Sequence, residues 1–364
     1  MNRNLRINLF VTTVILIAVG VVLIYSSSSI YATERYHTSA FFLNRHAFFL
    51  LLGVIITFAS LFFDYRKLRV VAKPLLLFSI FLLVLLLVPG IGREISGARR
   101  WFRFRGLSFQ PSELANLAVI IYIADFIVRK GEDIKSFWKG FVPPICVLGV
   151  IVFFILLQPD LGSSVALGAV VFLMLFVAGV PWKYLVSLLI VSVPMLVFLI
   201  MSQPYRRLRV LAFLNPWLDP RGSGFQIIQS QVALGSGGIF GVGLGHSRQK
   251  LFYLPAAHTD FIFSIIGEEL GLLGTVGVIA LFAIFIYNGL RLIKNTPERF
   301  GCFFALGLVA MISFKTVVNI GVSCGLLPTK GLPLPFISYG GTSLIFDMLS
   351  VGLLLNISRT GEYP

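Results

Sequence analysis

Charge is scarce in this chain. Only 12% of its 364 residues are Asp, Glu, Lys or Arg, while 57% are hydrophobic, and the mean hydropathy is +0.93. A soluble fold cannot bury that much apolar surface, so a water-soluble globular protein is excluded. Cysteine is nearly absent. Cys146, Cys302 and Cys324 are odd in number, lie in apolar segments and form no CxxC pair. A disulfide framework and a cysteine-built zinc site are thereby excluded, and the three read as small core residues. The four histidines have no HExxH spacing, which excludes a zinc-protease helix. No basic run with interleaved aromatics stands in a soluble segment, so nucleic acid is not an expected partner. The period-two alternation of a barrel strand is missing as well.

What the chain has is apolar runs near 20 residues, each long enough to cross a ~30 Å hydrocarbon core as a helix. The sequence predicts an all-α polytopic membrane protein, a single integral membrane domain over 1–364. About ten transmembrane helices are expected, near 8–26, 46–63, 71–89, 111–128, 141–158, 161–179, 183–200, 261–290, 300–325 and 338–358. The first run has the basic flank of a signal peptide, but its apolar core is too long for a cleaved one and reads as a retained helix.

An even number of spans puts both termini on one side. With the termini cytoplasmic, fifteen of the thirty basic residues fall in short inner segments, as the positive-inside rule requires. The outer basic residues are concentrated. Arg93, Arg99, Arg100, Arg103 and Arg105 precede the fourth helix, and Arg206, Arg207, Arg209, Arg221, Arg248 and Lys250 lie in one long loop, about 201–259, between helices seven and eight. Lipid headgroup anchoring is one reading. A site for an anionic ligand is the sharper one, because guanidinium groups grip phosphate in a bidentate fork.

A loop of that length is functional or disordered in most proteins. Here "FQIIQSQVAL" sets Phe225, Ile228 and Val232 on one face, as a short helix lying on the membrane surface would. "GSGGIFGVGLG" carries six glycines but matches neither GxGxxG nor a P-loop. It reads as a flexible connector or as backbone lying close to a ligand.

"LPAAHTDFIFSIIGEELG", residues 254–271, places His258, Thr259 and Asp260 at the mouth of an apolar run. If a helix starts near Asp260, Gly267, Gly271 and Gly274 fall within about 40° of its direction. That strip would let another helix approach and would point Asp260 into the bundle. Asp260 or Thr259 also suits a helix N-cap, which is compatible with catalysis. Glu268 and Glu269 point elsewhere and lie more than two turns down, so one helix cannot supply a carboxylate pair. A structural hydrogen-bonding role is expected for them.

These residues carry a resemblance. "GARRWFRFRGLSFQPSELANL", "QPDLGSS", "PYRRLRVLAFLNPWLDPRGSGFQIIQS", "LPAAHTDFIFSIIGEELG" and "LPTKGLPLPFISYGGTS" stand in this order, and nearly the whole chain resembles the SEDS family, the FtsW/RodA cell-wall polymerases. "IGEELG" and "FLNPWLDP" resemble the division branch, FtsW, more than the elongation branch. The resemblance implies a peptidoglycan glycosyltransferase in the bacterial plasma membrane. It would polymerise lipid II, an undecaprenyl diphosphate-linked disaccharide peptide, at the outer face for septal wall synthesis. It also implies a class B penicillin-binding protein and other divisome proteins as partners, and Mg²⁺ or Mn²⁺ as cofactor. By resemblance Asp260 is the essential aspartate, and Arg100, Trp101, Glu113, Arg206, Arg207, Lys330 and His258 belong to the substrate site. A lipid II flippase is the alternative, lowered by the lack of an inverted repeat with broken helices. A scaffold for a partner synthase is a third reading.

The chain departs from the family at Asn116, where a basic residue is common, and at Lys315 and Asp347, which add charge inside helices. Counted from the expected outer helix ends, Lys315 and Asp347 lie about 15 and 14 Å down, and a buried ion pair between them is expected. Asp125 and Arg129, four residues apart, read as a local pair.

Overall fold

The computed structural model describes residues 3–90, 92–95, 98–104, 107–251, 253–255 and 257–360; Arg105 lies outside them. All ten expected helices are present. They are α1 (Arg3–Tyr36), α2 (Phe41–Phe62), α3 (Leu68–Leu85), α4 (Pro111–Lys130), α5 (Val142–Leu157), α6 (Leu161–Val177), α7 (Trp182–Met201), α10 (Ile262–Asn295), α11 (Arg299–Ser323) and α12 (Gly341–Thr360). Among the described residues nine are long and apolar enough to cross a membrane, and α6 is a shorter apolar helix of 17 residues. The chain is a multi-pass membrane protein. The long loop folds into two more helices, α8 (Pro204–Leu214) and α9 (Phe225–Ser236).

Local chemistry sets several boundaries. Pro111 opens α4, where a missing N–H costs nothing. The Asp160 carboxylate caps α6 by accepting from Ser163 N at 3.2 Å, and Glu298 caps α11 through Phe300 N and Gly301 N. The helix α4 lies at the centre of the bundle, with 83% of its apolar window buried, whereas only 6% of α7 is buried. Thus α7 leans away into the lipid, joined to the rest mainly by α6 and α8.

The arginine-rich segment before α4, expected as a loop, is a small antiparallel sheet: β1 (Arg93–Ile95), β2 (Ala98–Phe104) and β3 (Leu107–Phe109), in the order β1-β2-β3. Residues 99–103 of β2 are arginines and aromatics, and the aromatics favour such a strand.

Five other expectations are corrected. The helix α10 begins at Ile262, with Phe261 as its N-cap and no side-chain capping bond, so neither Asp260 nor Thr259 caps it. The expected strip of Gly267, Gly271 and Gly274 does not face another spanning helix. Gly271 has φ 66° and breaks the helix, and the glycine-rich segment inserts beside it. Val242 N donates to Glu268 O at 2.9 Å, Gly243 N to Glu269 O at 3.0 Å, and Leu272 N to Gly238 O at 2.9 Å. Backbone this close leaves no space for side chains: a Cβ on Gly241 would lie 2.2 Å from Glu269 O. The segment is therefore neither a loose connector nor a ligand cradle. Nor does α9 lie on the surface, because Ser230 is buried between Ser264 Oγ at 2.6 Å and Ser323 O at 2.7 Å. Finally, the cysteines are all free as expected, but Cys146 is exposed and not in the core.

The two glutamates are structural. Glu268 accepts from Ser247 Oγ and from Arg248 N at 2.8 Å. Glu269 accepts from Ser26 Oγ at 2.7 Å and pairs with Lys250 Nζ at 3.0 Å. Together they anchor the far end of the long loop on α10.

Candidate active site

An outward-facing cavity of about 570 Å³ brings β2, the α5–α6 corner, α8, the turn before α10 and the loop after α11 together. Arg100, Trp101, Arg206, Lys330 and Asp260 all line it. Residues separated by more than 200 positions in sequence thus meet at one mouth.

Arg100 and Arg206 are held by backbone carbonyls. Arg100 Nε donates to Gln158 O at 3.0 Å and a second N–H to Pro159 O, where α5 ends. Its third nitrogen lies 3.9 Å from Asp160. Arg206 is buried, with Nη1 donating to Leu199 O at 3.0 Å and Nε to Tyr205 Oη at 2.8 Å. Carbonyls of α7 and of the α5–α6 corner fix these guanidinium groups without neutralising them, and Asp160 offsets part of the Arg100 charge. Burial pushes the Lys330 ammonium below its ordinary value.

The turn that carries Asp260 is stitched to the α11–α12 loop. Asn319 Nδ2 donates to Asp260 O at 3.0 Å and to Leu332 O at 2.9 Å. Ser338 Oγ donates to Thr259 O at 2.6 Å, and Tyr339 N to His258 O at 3.0 Å. The Asp260 side chain is left to the cavity, and among the described residues no donor hydrogen-bonds its carboxylate. Desolvation raises its pKa to about 6, although Arg209 and then Arg100 pull the other way. Such a carboxylate is ionised at neutral pH and is still a stronger base than an exposed aspartate.

Three expected site residues lie elsewhere. Arg207 is exposed on the outer side of α8. His258 packs among Phe42, Tyr339 and Tyr31, with ring centroids 4.7, 5.8 and 6.1 Å away. Burial lowers its pKa to about 4, so it is neutral. Glu113 lies within the bundle, 2.8 Å from Lys315 Nζ. Asp347 Oδ1 is 3.2 Å from the same nitrogen, so the expected pair forms, enlarged to a triad. The Asp125–Arg129 pair is also present, at 2.6 Å, with Arg69 as an additional partner.

Sequence reasoning missed Arg209 and Asp160, which line the same cavity. The three-residue step from Arg206 to Arg209 was a usable signal, since it places both on neighbouring positions of one helix. Asp160 gave none, because "QPDLGSS" reads equally well as a helix cap.

The fold is shared with known proteins. A family model described as cell cycle protein, FtsW/RodA/SpoVE, matches residues 6–363. The chain belongs to the FtsW/RodA/SpoVE family. A Geobacter metallireducens protein named probable peptidoglycan glycosyltransferase FtsW is 46% identical over 98% of each chain. Stage V sporulation protein E of Bacillus subtilis is 42% identical, over 98% of this chain and 97% of that protein. Among solved structures, a chain from "Structural coordination of polymerization and crosslinking by a peptidoglycan synthase complex" superposes with TM-score 0.79 at 35% identity, covering 97% of this chain and 98% of that one. Thermus thermophilus rod shape determining protein RodA superposes with TM-score 0.74 at 31% identity, over 98% and 97%.

Proposed function

We propose that this family member is a peptidoglycan glycosyltransferase of the bacterial plasma membrane, polymerising lipid II at the outer face. One observation carries the mechanism: the Asp260 carboxylate, which no donor among the described residues hydrogen-bonds, shares a cavity with Arg100, Arg206, Arg209 and Lys330. Asp260 takes the proton from the acceptor sugar's hydroxyl as that oxygen attacks the donor's anomeric carbon. The bond from that carbon to the diphosphate oxygen breaks, and undecaprenyl diphosphate leaves. Its charge is met by the four cations, so no strong general acid is needed. Trp101, which follows Arg100 in β2, also lines the cavity and offers it an aromatic surface.

A divalent ion, Mg²⁺ or Mn²⁺, fits this donor set only together with the substrate. Among the described residues no three His, Cys, Asp or Glu side chains cluster as a metal cage, and the cavity's carboxylates are Asp160 and Asp260. Mg²⁺ is commonly held by one or two carboxylates plus substrate phosphates. These two aspartates would supply the protein's share, and the ion would add neutralisation of the diphosphate.

The likeness to FtsW proteins supports septal wall synthesis, and the synthase-complex likeness supports a class B penicillin-binding protein partner. A flippase is the second reading, suggested by charge inside the helices. That charge is consumed internally: Lys315 is bonded to Glu113 and Asp347, all three buried, and none lines the outer cavity. The test uses vesicles holding the chain, its partner synthase, fluorescent lipid II and Mg²⁺ or Mn²⁺. Glycan polymer from the wild type and none from Asp260→Ala supports the proposal. Redistribution of lipid II between leaflets without polymer would turn the assignment to transport.

A further inference from the structure

A second charged hollow lies on the opposite, cytoplasmic side and takes no part in the proposed reaction. It has a volume of about 500 Å³ and is lined by Arg66, Arg69, Val70, Lys73, Asp125 and Arg129. It sits where α3 begins and α4 ends, which is headgroup depth on the inner side. Four cations face one carboxylate. Asp125 accepts from Arg69 Nε at 3.1 Å and Arg129 Nε at 2.6 Å, so a buried acid holds two guanidinium groups from different helices side by side. Each guanidinium has five N–H donors, and one of each is used in these bonds. Arg66 and Lys73 are exposed at the rim. The nearby acids are otherwise engaged: Asp64 accepts from the backbone of Arg66, and Glu298 caps α11.

Two features of α3 add to the charge. Pro74 lies inside the helix and has no N–H to give the carbonyl of Val70, four residues before it. Val70 itself lines the hollow, so a carbonyl without its usual helix donor belongs to a residue of the site. Starting from Val70 at the hollow, Leu77, Phe81 and Val84 stay within about 40° of its direction at 100° per residue. The four are 81%, 66%, 57% and 39% exposed. A cationic head end therefore continues into an apolar stripe on the same helix.

A phosphate-binding cluster, a hydroxyl acceptor and an alkyl track describe a single kind of ligand. We propose that this hollow binds an anionic glycerophospholipid of the inner leaflet. Its phosphate sits among Arg66, Arg69, Lys73 and Arg129, a headgroup hydroxyl donates to the Val70 carbonyl, and its acyl chains follow the α3 stripe. Basic pockets between helices at this depth recognise such headgroups.

The test is native mass spectrometry of the full chain in detergent, with phosphatidylglycerol or phosphatidylethanolamine of identical acyl chains. The wild type is expected to retain phosphatidylglycerol at least tenfold better. Replacing the two exposed rim cations, Arg66→Gln with Lys73→Gln, should weaken retention roughly 30-fold, at about 1 kcal/mol per cation near a membrane surface. Removing the same charge elsewhere on the inner face, Arg3→Gln with Lys139→Gln, should leave it unchanged. Equal retention of both lipids, or retention indifferent to the rim substitutions, overturns the proposal. So does complete displacement by millimolar inorganic phosphate, which would make the ligand a soluble anion. If the rim variant cannot be purified, wild-type melting decides: a rise with phosphatidylglycerol alone supports the site, and an equal rise with both lipids refutes it.

Discussion

Asp260→Asn separates what this residue does for the reaction from what it does to the fold. Burial holds the Asp260 carboxyl at a pKa of about 6, above its ordinary 3.8. Between these two values the folded chain keeps a proton that the unfolded chain has lost, so stability falls as pH rises. The cost is absent below about pH 3.8 and fully present above about pH 6. Two pH units correspond to about 3 kcal/mol. An asparagine fills the same volume and does not titrate. The variant should therefore melt above the wild type at about pH 7.5, and the gap should close towards about pH 4. Activity should move the other way: wild-type polymerisation rises with pH through about 6 as the base ionises, and the variant makes no polymer at any pH. Tryptophan-fluorescence melting in detergent at a series of pH values, beside lipid II polymerisation on gels, gives both readouts. A variant that melts below the wild type at pH 7.5, or a gap that does not change with pH, would refute the claim that burial without a partner sets this carboxyl. Stability given up at a reacting group is a known trade.

Other consequences follow from the same geometry. Arg209→Gln removes the larger of the two cationic influences on Asp260, so the acid limb of the pH–rate profile should move to higher pH and the rate at about pH 6.5 should fall severalfold. Lys315→Met leaves Glu113 and Asp347 buried with no cation and should cost about 3–5 kcal/mol, read as a large drop in melting temperature. Asp347→Asn keeps the 2.8 Å Lys315–Glu113 contact and should cost much less. Exchanging Lys315 and Asp347 sets a new aspartate facing Glu113, so the swap should not rescue the cluster. Gly241→Ala combines a φ of 80° with a Cβ 2.2 Å from Glu269 O, and the protein should be lost from the membrane fraction on expression.

Much of the architecture was legible from the chain alone, because in lipid an apolar run of the right length has one way to satisfy its backbone, and that is helix. The ten apolar helices and the crowding of arginine in two loops are one-dimensional facts. So is the pairing of Lys315 with Asp347, since two unlike charges at equal depth in sequential antiparallel helices have few other partners. Asp260 was singled out by its place at the mouth of an apolar run and by resemblance. The tertiary structure decided the rest. It chose Arg206 and Arg209 over Arg207 for the cavity, through which face of α8 turns inward. Glu113 went to Lys315 because α4 is the central helix. His258 became a neutral member of an aromatic cluster built from α1, α2 and the α11–α12 loop. The glycine-rich segment was pressed against a break in α10 that one positive φ allows. The sequence determined where the long apolar helices lie and which of its charges must find partners. Which partner each one found depends on distances between elements far apart in the chain, and only the packing of the bundle sets those.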